Sequence, residues 1–207
     1  HGDIKVLLEY LEENDHCLSL FDVPLHYQFY KACNDNGNFD MGSLGQNTLV
    51  KNCPFNAVTF VENHDTQKGQ ALETIVTDWF KPLAYAYILL REEGYPCVFY
   101  GDYYGIRKFN TRSFKKEIDL LIKLRHKKMN GKRHDYFDHF NIVGWTFEGA
   151  DLHDGMAVLI NDGPMGEKMM YVGKDKKGQV YQNLFGAKDE TVIDENGNGL
   201  FKVDGGN

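Results

Sequence analysis

The 207-residue sequence has no apolar run long enough to form a membrane-spanning helix. It has no excess of basic residues either. Its 23 Lys and Arg stand against 30 Asp and Glu, a net charge of -7, with no long block of one sign. That balance argues against a nucleic-acid partner, which calls for a basic patch. Cysteine is sparse: Cys17, Cys33, Cys53 and Cys97 form no CxxC pair. A zinc site and a disulfide framework are therefore both disfavoured, and the four read as reduced thiols. No GxSxG elbow, GxGxxG or GxxxxGKS loop, or HExxH pair occurs, which removes the corresponding hydrolase, nucleotide and zinc-protease readings. His134 and His139 are neighbours without a third ligand at zinc spacing, so a surface or hydrogen-bonding role is expected for them. The opening HGDIKVLLEY shows neither an initiator methionine nor a basic-then-apolar leader. Its helical pattern starts at once, so the expectation is of a chain cut short.

What is present is periodicity of two kinds. Ile4, Leu7, Leu8 and Leu11 form the stripe of an amphipathic helix. Cys17–Val23 reads as a short buried strand ended by Pro24, and 34–47 as a loop rich in Asn, Gly and Asp. Ala57–Val61 reads as a second strand. Residues 71–92 hold a helical period through Leu72, Ile75, Val76, Trp79, Phe80, Leu83, Tyr87 and Leu90, with Pro82 expected to kink or divide it. Tyr95–Tyr100 reads as a third strand and 113–128 as another helix. After about residue 131, short apolar segments alternate with Gly, Asp and Asn turns, the spacing of an antiparallel sandwich or barrel. The expectation is α/β up to 130 and all-β over 131–207. Three parallel strands are few for a sheet that needs cover on both faces, so the first part reads as a piece of something larger.

Functional side chains of parallel α/β folds gather where the strands end. The cluster Glu62-Asn63-His64-Asp65-Thr66 follows the second strand, Asp22 lies in the first, and Asp102 follows the third. Parallel neighbours would bring these acids to one rim. Tyr100, Tyr103 and Tyr104 could stack on sugar rings there.

The segment VTFVENHDTQ at 58–67 resembles the end of barrel strand seven in α-amylases. The likeness continues through SLFDVPLHYQFY at 19–30, DWFKPLAYAYILLREEGYP at 78–96, VFYGDYYGI at 98–106, HDYFDHFNIVGWTFEG at 134–149 and NDGPMGEKMMYVG at 161–173. It covers nearly the whole chain and is to bacterial liquefying-type α-amylases of glycoside hydrolase family 13. The resemblance implies the C-terminal part of a (β/α)8 barrel, strands six to eight, over residues 1–130. It implies a Greek-key β domain over 131–207 that lacks its last strand. It also implies endo-hydrolysis of α-1,4-glucosidic bonds of starch or maltooligosaccharides, with retention.

A retaining glycosidase needs a nucleophile and an acid/base. The resemblance places both ahead of His1, in a missing N-terminal part of the barrel, so the chain alone is expected to be inactive. Asp65 is similar to the third family carboxylate, which stabilises the transition state. His64 and Gln67 resemble substrate-binding neighbours, and Glu62 stands where Asp is more common. The resemblance further implies a Ca²⁺ site joining barrel and β domain. Its ligands would be the carbonyls of Gly37, Phe39 and Phe140 and the side chains of Asn141 and Asp162. Asn141 stands where Asp is usual, which removes a charge and weakens the site. A non-catalytic carbohydrate-binding fragment, or an enzyme of altered product specificity, remains an alternative.

Overall fold

The computed structural model describes residues 2–151, 154–186 and 188–206. It divides into two units. The first comprises the chain up to Asn34 together with Ser43–Ile122, and the second Asp35–Gly42 together with Lys123 onward.

The first unit is built on three parallel strands, β1 (Leu20–Phe21), β2 (Ala57–Phe60) and β3 (Tyr95–Cys97), in the order β1-β2-β3. Leu20 pairs with Ala57, and Val58 with Tyr95. The central strand is the most buried, and its Ala57 and Phe60 are closed off from solvent. Helix α1 (Ile4–Glu13) follows its apolar stripe, burying Leu7 and Leu11, and Asp3 caps it through the Lys5 amide at 2.9 Å.

Helix α2 (Val23–Asn34) fills the span between the first strand and the 34–47 loop, where βα alternation calls for a helix that the periodicity does not locate. Pro24, expected to end a strand, lies in its first turn, where a missing amide costs nothing. The strand expected over 17–23 therefore shrinks to Leu20–Phe21. Asp22 explains the early switch. Its carboxylate accepts from the amides of Leu25, Leu49 and Val50 at 3.1, 3.1 and 2.7 Å. One buried side chain thus caps α2 and also the short α3 (Leu49–Asn52), whose own cap is Thr48.

The helix expected over 71–92 is confined to α4 (Lys81–Leu89), with Pro82 in its first turn. Pro82 starts the helix and does not kink it. Residues 71–80 form turns flanking an irregular stretch, in which two amides have distant acceptors. Thr74 N donates to the Thr66 carbonyl at 3.0 Å and Val76 N to the Glu62 carboxylate at 2.7 Å. Beyond β3, the expected strand tail becomes α5 (Tyr100–Tyr104). Helix α6 (Lys115–Lys128) buries Ile118 and Leu121 and closes on Arg125, His126, Lys127 and Lys128, cations that suit its C-terminal dipole.

The second unit is antiparallel throughout. Strands β4 (Arg133–Tyr136), β5 (Ile142–Phe147) and β6 (Met156–Asn161) form one sheet. β7 (Gly166–Tyr171) pairs with β10 (Asn198–Val203), and β8 (Val180–Gln182) with β9 (Glu190–Val192). Trp145, Val143, Phe147 and Met170 fill the core. Gly144 permits the closest approach, since a Cβ there would sit 2.3 Å from the Val158 carbonyl oxygen.

Candidate functional site

Parallel pairing puts the C-terminal ends of β1, β2 and β3 on one side. Of the three acids expected to share that rim, only Asp65 is exposed. Asp22 and Asp102 are buried, at 0% and 4% exposure. Asp22 is consumed by the capping described above, and burial pushes its carboxyl up against the pull of those amides. The rim of three exposed carboxylates is therefore corrected to one.

The exposed acid is held on a stiff turn. Asn63 Oδ1 accepts from the amides of Asp65 and Thr66 at 2.8 and 3.0 Å, an Asx turn. The Thr66 hydroxyl accepts from Asn63 N at 3.0 Å. Gln67 donates through Nε2 to the His64 carbonyl at 3.1 Å, and its Oε1 is buried with no partner among the described residues. His64 Nε2 lies 3.4 Å from Asp65 Oδ1, with the two side chains 80% and 56% exposed. So exposed a pair contributes little stability. The arrangement leaves an imidazole and a carboxylate standing side by side towards solvent, able to donate to and accept from the hydroxyls of a polar ligand.

Beneath the turn lies a buried charge cluster that sequence reasoning missed. Lys81 Nζ is 2.5 Å from Asp102 Oδ1 and 3.6 Å from Glu62 Oε1. Tyr85 donates its hydroxyl to Asp102 Oδ2 at 2.8 Å. Burial raises the Glu62 carboxyl to about 7, opposed by Lys81 and helped by Asp102. The available signal was Lys81 itself, a lone cation in the apolar run from Trp79 to Tyr85. His26 is also internal, with Nδ1 2.7 Å from the Val61 carbonyl and Nε2 2.8 Å from Thr74 Oγ1. Burial lowers its pKa.

Beyond the C-terminal end of β3, Tyr100 and Tyr104 are 72% and 56% exposed, their ring centroids 4.7 Å apart. Tyr103 instead donates to Asp119 at 2.6 Å.

The residues expected to hold calcium gather in the second unit. Asn141 Nδ2 donates to the Gly37 carbonyl at 2.8 Å and to Asp162 Oδ1 at 2.9 Å. Asp162 is buried, and its Oδ2 has no partner among the described residues. Burial raises its carboxyl, and Asp35 and Asp40 add to the effect. Gly37 has φ +78°, open to glycine. The Phe140 carbonyl accepts from Met41 N at 2.7 Å. Phe39 is half-buried on a bend of the same 35–42 segment. His134 pairs with Glu148 at 2.6 Å, and His139 Nδ1 accepts from the amides of Asn141 and Ile142, both at 3.1 Å. Both histidines serve hydrogen bonding.

No family model matches the chain. Among curated proteins it is 53% identical over 207 residues to the alpha-amylase of Geobacillus stearothermophilus. It is 47% identical over 208 residues to the glucan 1,4-alpha-maltohexaosidase of Bacillus sp. strain 707. Both matches take in 99% of the chain but 38% and 40% of the relatives, so the chain spans about two-fifths of their length. Among solved structures it resembles alpha-amylase I of Eisenia fetida, crystallised with maltohexaose, at a TM-score of 0.63 and 14% identity. That likeness covers 90% of this chain and 47% of that one and concerns the fold alone. The chain is homologous along its length to bacterial alpha-amylases.

Proposed function

We propose that this chain is the C-terminal portion of an α-amylase of glycoside hydrolase family 13, which cleaves internal α-1,4-glucosidic bonds of starch with retention. In this reading β1, β2 and β3 are strands six to eight of a (β/α)8 barrel, and the second unit is the Greek-key domain. The observation that carries it is Asp65 beside His64, exposed on a rigid turn at the end of the buried central strand, in a chain about half identical to alpha-amylases. Phe21 and Tyr95, half exposed on the two edge strands, support further strands on either side.

Asp65 accepts from hydroxyls of a distorted sugar ring, contacts that strengthen as positive charge develops in the transition state. His64 shares that task. Gln67 fixes the His64 carbonyl and offers its buried Oε1 inward. The missing N-terminal part of the barrel would supply the nucleophile and the acid/base. Glycosidic hydrolysis needs such a pair, and Asp65 is neither. The purified chain, incubated with soluble starch, is therefore expected to release no reducing ends. Activity of the chain alone contradicts this assignment of roles.

The exposed Tyr100 and Tyr104 rings favour a second reading, a fragment that binds glucan without cleaving it. Saturable retardation of the chain in starch-containing native gels, without hydrolysis, would favour it.

The cluster at Asn141 is proposed as a calcium site. A buried carboxylate with one unpartnered oxygen, together with the Gly37 carbonyl, suits a hard cation. The Asn141 amide does not fit as it stands, because it presents N–H to those two acceptors and must turn over to offer its oxygen. When bound, the ion would tie the 35–42 segment to β5 and β6 and take no part in chemistry. The Asn141→Asp variant is expected to bind Ca²⁺ at least about tenfold more tightly by calorimetry, since affinity follows ligand charge. Its melting temperature should rise with added Ca²⁺ more than that of the native chain. Equal affinities would remove Asn141 from the site.

A further inference from the structure

We infer that Glu62 is a positioning residue, a buried latch whose two carboxylate oxygens pin the loop after β2 at two points, Thr66, directly after His64 and Asp65, and Val76. Oε2 accepts from the Thr66 hydroxyl at 3.2 Å, and Oε1 accepts from the Val76 amide at 2.7 Å. These partners lie ten residues apart, and His64 and Asp65 stand in the turn between Glu62 and Thr66. Thr66 passes the restraint on. Its hydroxyl accepts from Asn63 N and its carbonyl from Thr74 N, each at 3.0 Å. Asn63 in turn fixes the Asp65 amide. The exposed carboxylate is thus three hydrogen bonds removed from a side chain only 2% exposed.

The latch has a charge problem. Glu62 and Asp102 share one cation, Lys81, from α4. Among the described residues, the other titratable groups facing the cluster and its loop are Tyr85, Cys33, Asp78 through Asp102, and His26 on Val61 and Thr74, whose charged form burial disfavours. None of these adds a positive charge. With both carboxylates ionised the buried set carries one uncompensated negative charge. Protonating Glu62 removes it. The closed loop therefore holds a proton on Glu62 that an opened, solvated loop gives up. Between the ordinary value of 4.5 and about 7 the closed state binds more protons than the open one. Its stability falls as pH rises across that window and levels off above it.

Lys68 is exposed within the loop, and Lys108 is exposed outside it in the same unit. Trypsin cleavage at Lys68 relative to Lys108 reads loop opening against opening of the unit. In the native chain that ratio is expected to rise about fivefold to tenfold from pH 6 to pH 8. Glu62→Gln keeps an acceptor for Val76 and can donate to the Thr66 hydroxyl, so its ratio should stay low and flat. Glu62→Ala loses both contacts, and its ratio should be high at both pH values. A flat ratio in the native chain, a native profile in Glu62→Gln, or an unchanged ratio in a folded Glu62→Ala would overturn the latch. That the latch positions a sugar-contacting group rests on the function proposed above. The proteolysis uses no sugar, so either can fail without the other.

Discussion

Replacing Lys81 with methionine is expected to destabilise the first unit by about 3–5 kcal/mol, read from the denaturant midpoint. Methionine keeps the length of the stem and its packing, so the loss reports the charge. The Lys81 side chain is 7% exposed, and both carboxylates it serves are equally hidden. Without it, Asp102 and Glu62 face each other in a medium that solvates neither. Asp102 retains the Tyr85 hydroxyl, and Glu62 retains Thr66 and Val76, but these neutral donors do not neutralise a buried ion. Asp102 further supports the fold through its carbonyl, which accepts from Phe114 N at 2.8 Å. Adding Asp102→Asn to Lys81→Met should recover part of the loss, because it removes the charge left on Asp102. If the double variant is as unstable as the sum of the singles, the cluster is not electrostatically coupled.

The β domain and the parallel strand trio were legible because period-2 alternation and buried apolar runs depend on neighbours a few residues away. Ala57–Phe60 could be read for that reason. What escaped was decided at long range. Asp22 looked like a strand residue pointing to a rim, yet its partners are amides 27 and 28 positions away. No local pattern announces those two, although Asp22 ahead of Pro24, with the Leu25 amide three residues on, is a local helix-start signal for α2. The stretch 71–80 keeps a helical period, yet the amides of Thr74 and Val76 are taken by Thr66 and Glu62. Tertiary hydrogen bonds there outweigh a modest helical preference. The candidate site was legible by a different route. His64 and Asp65 stood out through their motif, whereas Glu62, which holds their loop, looked like a minor exchange of one acid for another. The Asn141 cluster came from resemblance alone, because its members are carbonyls and side chains brought together from 35–42, 140–141 and 162.

The proposed role of Asp65 in an α-amylase active site can be read in a whole enzyme. It is tested most directly by placing the chain in the Geobacillus stearothermophilus alpha-amylase in exchange for the segment it matches, 53% identical over 207 residues. Starch hydrolysis by the chimaera and by its Asp65→Asn variant is then compared. The expected result is an active chimaera whose kcat falls about 10²- to 10³-fold on Asp65→Asn with an unchanged melting temperature, the cost of losing a contact made chiefly in the transition state. A folded chimaera without activity, or one whose activity is indifferent to Asp65→Asn, would contradict it.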